Sequence, residues 1–358
     1  MTESKPRICV YAISKNEEKF VERFIRSAND SDLILIADTG SDDGTDVIAK
    51  NMGAVVHKIS IRPWRFDHAR NAALALIPDD IDICVSLDLD EVLMPGWREE
   101  VERLWRDGVT RLRYMFDWSN GIKFQAEKIH ARHGYFWHHP CHEQIRADAR
   151  ISEVWASTDK LLVLHLPDET KSRGQYIDIL DLSVKEDPTC PRNAFYYGRE
   201  LFFHGLFHQA IEALEKYLEM PSAAWKIERS YAMRILSKCF EAIGDIASAE
   251  MWGLRASSQN SEGREAWCDL ASFYYRRNMW RECYAMAVIA LGVTVRQFAY
   301  CDDPEVWGPL PHDLASIAAW RLGLKTEAIE HCKEAISLDP DDQRLKTNLS
   351  WFTGEKDS

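Results

Sequence analysis

No stretch of the 358 residues approaches the roughly 20 consecutive apolar positions that a membrane-spanning helix needs. The opening "MTESKPR" has no apolar signal region behind its charges, so the expectation is a cytoplasmic protein. There is no CxxC and no clustered zinc spacing. The nine cysteines, at 9, 84, 141, 190, 239, 268, 283, 301 and 332, fall mostly inside apolar periodic segments and read as reduced core residues. Basic charge is also in deficit, with 44 Lys and Arg against 57 Asp and Glu for a net charge of -13. That balance argues against a general polyanion-binding surface and leaves nucleic acid only a local basic groove.

What is present is apolar content enough for two cores, 46% hydrophobic against 28% charged. Up to about residue 90 strand and helix patterns alternate. The segments "RICVYAI", "DLILIAD", "AVVHKIS" and "DICVSLD" read as buried strands. Between them, "EEKFVERFIRSA" sets Phe20, Val21, Phe24, Ile25 and Ala28 on one helical face, a short helix starts at Thr45, and "DHARNAALAL" forms another. Strands separated by single helices pair in parallel through right-handed crossovers, and ligands then gather at their carboxyl ends. Asp38 and Asp88 stand at such ends. After the helical "PGWREEVERLW", residues 109–166 are rich in aromatics and β-formers and read as a mixed or antiparallel extension of the sheet.

From about residue 190 the pattern is helical and repeats. Gly198 and Ala210, Gly244 and Ala249, Ala271, Ala287 and Ala290, then Ala328, Ala335 and Pro340 recur at similar offsets, with large apolar residues between. Small residues where two helices cross resemble tetratricopeptide repeats, three to four of them, with "DDQRLKTNLSWF" as a terminal helix. The expected division is residues 1–170, an α/β domain, a linker or helix over 171–190, and an all-α repeat domain over 191–358.

The tetrapeptide "DLDE" carries the chemistry. In an extended segment Asp88 and Asp90 point to the same side, and two converging carboxylates call for a cation. Hard oxygen ligands suit Mg²⁺ or Mn²⁺, which also bind phosphate oxygens. Three further segments precede it in order: "AISKNEE", "ADTGSDDGT" and "FDHARNAAL". Together the four closely resemble the inverting family 2 glycosyltransferases of the GT-A fold, over about residues 5 to 170.

The resemblance implies donor binding by Ala12, Ser14, Asn16 and Glu17 of the first segment, Asp38 and Gly40 of the second, Arg70 and Asn71 of the third, and Asp88 and Leu89 of the fourth. Asp90 is then the metal ligand, joined by His165 of "VLHLP". A carboxylate at Asp38 suits the imide N–H of uracil and a guanidinium suits a diphosphate, which favours a UDP-sugar. Downstream, "HHPCHEQI" supplies Glu143 as the base that deprotonates the acceptor, with His142 the second candidate. Pro140 and Cys141 replace the small residue and valine usual before that "HE". No QxxRW occurs, so a single transfer is expected rather than processive synthesis. The acceptor is expected to be a protein, a peptide or a glycolipid sugar met partly by the repeats, with a modified nucleobase in DNA the less favoured alternative on charge grounds. The competing expectation is an inactive scaffold whose repeats bind a partner protein.

Overall fold

In a computed structural model, which describes residues 5–119, 121–167 and 176–354, the first apolar run forms β1 (Ile8–Ser14). It is followed by α1 (Glu18–Ala28), β2 (Leu33–Asp38), α2 (Thr45–Asn51), β3 (Val55–Lys58), α3 (Phe66–Ala75) and β4 (Ile83–Ser86). Pairing β3-β2-β1-β4 is parallel throughout. Both faces of β1 are covered, which is why it reads as a continuous apolar run rather than an alternating one. Ile8, Val10 and Ala12 join Val21, Phe24 and Ile25 of α1 in one core, while Cys9 and Tyr11 join Ala73 and Leu74 of α3 in another. Burying Phe24 completely contributes about 3 kcal/mol.

The sheet then changes character. β5 (Glu91–Leu93), α4 (Trp97–Leu104), β6 (Arg111–Asp117), β7 (Lys123–Ala131), a β8–β9 hairpin (Tyr135–His138 and Gln144–Ala147) and β10 (Trp155–His165) complete it. The eight-stranded order is β3-β2-β1-β4-β7-β6-β10-β5, with β7 and β5 antiparallel to their neighbours. The last element of the first unit, Met1–Glu186, is α5 (Tyr176–Glu186). It lies in the segment expected to be linker or helix, of which residues 171–175 are outside the described residues. Tyr176 stacks on Phe66 at 6.1 Å and Glu186 accepts from Arg65 at 2.6 Å, so α5 is tied to the start of α3.

The second unit, Asp187–Ser358, is helical among its described residues. Four hairpins follow one another: α6 (Pro191–Phe203) with α7 (Phe207–Glu219), α8 (Lys226–Ala242) with α9 (Ile246–Gln259), α10 (Arg264–Arg276) with α11 (Trp280–Gly292), and α12 (Leu310–Arg321) with α13 (Lys325–Leu338). A last helix, α14 (Gln343–Thr353), packs Phe352 on Trp320. Each hairpin turns on one left-handed residue, Gly205, Gly244, Asn278 and Gly323, and a fully buried small residue follows five positions later, Ala210, Ala249, Cys283 and Ala328. Asparagine is the non-glycine residue that best tolerates this conformation, so the third hairpin keeps the turn without the glycine. Recurrence at fixed offsets makes these helical repeats. The left-handed residues stand 39, 34 and 45 positions apart, against a tetratricopeptide period of about 34. The longest interval contains residues 293–303, between α11 and a short 3-10 turn at Pro304–Trp307.

All nine cysteines are buried and unpaired with one another, as their apolar settings predict. No helix among the described residues is long and apolar enough to cross a membrane.

Candidate active site

Asp38 ends β2 and is fully buried. Its carboxylate accepts from the Ser14 hydroxyl at the end of β1 (3.1 Å) and from the Ser41 amide (3.2 Å) and hydroxyl. The loop after β1 is pinned to the loop after β2: the Asn16 amide donates to Ser41 Oγ at 3.0 Å, the Asp42 amide to Asn16 Oδ1 at 2.9 Å, and the Glu17 amide to Thr45 Oγ1 at 2.7 Å. Asn16 and Gly40 both have positive φ, and a Cβ at Gly40 would meet nothing within 4 Å, so this backbone faces open space. The Ala12 and Leu89 side chains lie in the core, which leaves only their backbone to face a ligand.

The "DLDE" segment is a turn, not the extended segment its pattern suggested. The Glu91 amide donates to the Asp88 carbonyl at 2.9 Å, and this closure sends the two aspartates to different partners. Asp88 accepts from Arg70 at 2.6 Å and faces Lys128 Nζ at 3.5 Å. Lys128 reaches across from β7 to Glu91, 2.7 Å away and almost fully buried, and Glu91 in turn accepts from the Asp88 amide. Enclosure by protein disfavours the Asp88 charge, but Arg70 and Lys128 outweigh it and hold this carboxyl well below the usual carboxylate range. Burial pushes the Glu91 carboxyl the other way, upward, against the opposing pull of Lys128.

Asp90 meets His165 instead, Oδ2 to Nε2 at 3.4 Å. The antiparallel register of β10 on β5 sets His165 opposite Glu91 and so brings it beside Asp90. The His165 ring stacks on Trp118 at 4.3 Å, and its Nδ1 faces the Trp118 carbonyl at 3.4 Å. Burial lowers the His165 pKa, but the Asp90 carboxylate beside Nε2 outweighs it and raises it. Two ligands of one octahedral Mg²⁺ at right angles stand about 3.0 Å apart. The 3.4 Å spacing of Asp90 and His165 serves a hydrogen bond between them as well as it would serve two ligands of one divalent cation.

Arg70 is the hub. It is buried on α3, lies over the Trp137 ring at 4.9 Å, and donates to Asp88 and, through Nε, to Glu143. The two carboxylates raise its pKa despite burial. Glu143 reaches it because the β8–β9 connection doubles back: His139 and His142 both adopt positive φ on either side of Pro140–Cys141. The Phe66 amide at the start of α3 donates to the Pro140 carbonyl at 3.0 Å, which fixes the loop to the helix that carries Arg70. Asn71 exchanges two 2.8 Å hydrogen bonds with the Trp137 backbone, so its amide extends the edge of β8 rather than facing the Arg70 cluster. His142 lies near Tyr176, at 6.3 Å. His130 is enclosed with Tyr11 at 3.1 Å, and burial pushes its pKa down to about 3.

Arg70, Asp88 and Glu143 thus converge, Asp90 and His165 form a second pair, and Asp38 lines the loops after β1 and β2. Lys128, Trp137 and Trp118 escaped the sequence reading. They come from β7, β8 and the β6–β7 turn, where nothing local distinguishes them from other strand residues.

Residues 9–150 match the family described as Glycosyl transferase family 2. An uncharacterized glycosyltransferase of Rickettsia bellii is 30% identical over 100 residues, 28% of this chain and 33% of the relative. Another, from Rickettsia typhi, is 31% identical over 100 residues with the same coverage. The chain spans about a third of the length of these curated relatives, 33% in each. Among solved structures, a crystal structure of MamA is similar at 18% identity and TM-score 0.37, covering 47% of this chain and 83% of that one. YrrB, titled a TPR protein with an unusual peptide-binding site, is similar at 16% identity and TM-score 0.37, covering 49% and 81%. The repeat character of the second unit rests on its own recurring left-handed turns and buried small residues. Residues 9–150 therefore match the model of glycosyl transferase family 2, and beyond them the chain carries a C-terminal unit of tetratricopeptide-like helical repeats.

Proposed function

We propose that this chain transfers a single sugar, with inversion, from a nucleotide-sugar donor to an acceptor hydroxyl or amide, and that UDP-hexose is the donor class. The observation that carries the reading is the convergence of Arg70, Asp88 and Glu143 beside the Asp90–His165 pair, at the carboxyl ends of β1, β2 and β4. In an open α/β sheet that is where a nucleotide binds.

On this reading Asp38, buried and held by Ser14 and Ser41, fixes the loops after β1 and β2 that receive the uracil base, and the exposed backbone at Gly40 admits the nucleoside. Asp90 and His165 hold Mn²⁺ or Mg²⁺, which when bound neutralises charge on the departing diphosphate. Arg70 supplies a second, permanent positive charge to the phosphates. Asp88, kept ionised by Arg70 and Lys128, receives hydroxyls of the donor sugar or ribose. Glu143 takes the proton from the acceptor as its nucleophilic atom attacks the anomeric carbon from the face opposite the leaving diphosphate. The Arg70 ion pair orients the Glu143 carboxylate before an acceptor arrives.

The test is release of UDP from a panel of UDP-sugars by the full chain, with Mn²⁺ or with EDTA. Metal-dependent release from at least one donor supports the reading. Equal, background-level release across all donors and both conditions refutes it.

A further inference from the structure

Residues 293–303 do more than connect α11 to α12. In a repeat array the first helices of successive hairpins form one row, here α6, α8, α10 and α12. The connection turns back across that row. Tyr300 enters an aromatic box made of Tyr196 (stacked, 5.8 Å), Phe195 (6.3 Å) and Trp225 (5.6 Å). Its hydroxyl donates to Glu228 on α8, whose other oxygen accepts from Tyr217 at 2.8 Å. Gln297 accepts from Asn260 at 3.0 Å, and Asp303 faces Arg234 of α8 at 3.6 Å. The segment crosses the first-helix face of the first two hairpins and closes in a turn, where the Asp302 amide donates to the Ala299 carbonyl at 3.0 Å, and its side chains make contacts of the kind a bound peptide makes.

Two observations distinguish it from ordinary core. The interval containing it, 45 positions between left-handed turns, exceeds the shortest interval of 34 by the eleven residues 293–303. Its outward side chains Val295 and Phe298 are 74% and 57% exposed, so it is covered on one side only. Its seat is polar: a chamber with room for about one water is lined by Arg234, Asn260, Glu265 and Asp302, and Asp302 accepts from Arg296 at 2.6 Å. Gly263 is part of this seat, since a Cβ there would lie 2.4 Å from Asn260 Nδ2 and 3.0 Å from a Glu265 oxygen. Past the end of the segment the face stays open, as a pocket of about 310 Å³ whose walls include Lys238, Asp269, Ser272, Arg276 and Leu310.

We propose that residues 294–303 are a displaceable internal ligand of the repeat face, and that the partner of this face is a peptide presenting a tyrosine at a turn followed by acidic residues, in competition with Tyr300 and Asp303. The chemistry of the partner is read from its stand-in. The aromatic box and Glu228 take a phenol, Arg234 takes a carboxylate, and a chain continuing onward enters the open pocket. Tethering gives the internal segment a high effective concentration, so a free peptide competes poorly until the tether residue is weakened.

The test uses the full chain and a fluorescent peptide of residues 294–303 with serine in place of its cysteine. Anisotropy is measured against the unmodified protein, Tyr300→Ala and Tyr300→Phe, with circular dichroism to monitor the helices. The expected result is at least tenfold tighter binding to Tyr300→Ala than to the unmodified protein, with a scrambled peptide silent. Equal binding to both proteins, no binding to a helical Tyr300→Ala, or equal binding of the scrambled peptide overturns the proposal. If Tyr300→Ala loses its helical signal, the Tyr300→Phe comparison decides by the same criteria. Loss of helix in both variants makes the segment core and also overturns it.

Discussion

Arg70 answers to two carboxylates from opposite sides, and single substitutions separate its duties. Glu143→Gln keeps the size of the side chain and removes its basicity. The expected outcome is unchanged UDP binding by calorimetry and at least a hundredfold loss of transfer, the usual scale for a general base. Asp90→Ala is expected to do the reverse at the first step, abolishing the Mn²⁺-dependent component of UDP binding. Lys128 offers a test that sequence motifs do not suggest. Lys128→Met strips Glu91, 1% exposed, and the partly exposed Asp88 of a shared cation, and leaving the buried Glu91 without its partner costs about 1–3 kcal/mol. Chemical denaturation checks it, and Glu91→Gln in the same background is expected to recover part of the loss. The motif order named Asp38, Arg70, Asp88, Asp90, Glu143 and His165 because each sits in a short segment with a recognisable neighbourhood. Lys128 and Trp118 were invisible for the converse reason: their positions follow from strand register across β7, β6 and β10, which no local pattern encodes. The turn at Asp88 was also missed, since two aspartates with one residue between them read equally well as strand or as turn.

At the scale of elements, the parallel strands and their helices were legible because burial on both faces leaves continuous apolar runs, and α1 shows its buried face at spacings of three and four. The antiparallel half carried a weaker trace, as β7 and β10 mix exposed and buried positions irregularly. In the repeat unit the clearest element-level prediction is at Gly198, where α6 crosses α7. A Cβ there would stand 2.7 Å from two carbons of the buried Leu214 side chain and 3.4 Å from Ala213. Gly198→Ala is expected to destabilise the second unit by about 1–3 kcal/mol through overpacking, although alanine favours helix elsewhere. Thermal unfolding checks the sign.

At the scale of the whole molecule, two units with separate apolar cores predict separable unfolding. On the proposed reading UDP with Mn²⁺ binds the first unit, and at one hundred times its dissociation constant it adds about 2.7 kcal/mol to that unit alone. Calorimetry is expected to show one transition moving and the other fixed. Acidity acts on the other unit. Burial, then hydrogen bonding to Asp302, raises the Glu265 carboxyl from 4.5 to about 7, with Arg234 of α8 opposing. The folded state therefore holds a proton that the unfolded chain has released, and this contribution is complete below about pH 4.5 and fades as pH rises through 7. Urea midpoints of the repeat unit are expected to fall between pH 5 and pH 8, with a flatter profile in Glu265→Gln.

Cys301, one residue beyond Tyr300, is 7% exposed, and burial pushes its thiol up to about 12. Alkylating reagents consume thiolates, so this sulfur is silent while covered and reactive once solvent reaches it. Cys239 and Cys283, buried within α8 and α11, provide internal clocks for unfolding of the hairpins themselves. Iodoacetamide labelling resolved by mass spectrometry thus times two events in one sample, and modification of Cys301 ahead of Cys239 and Cys283 measures how often the connection lifts while the helices stay intact.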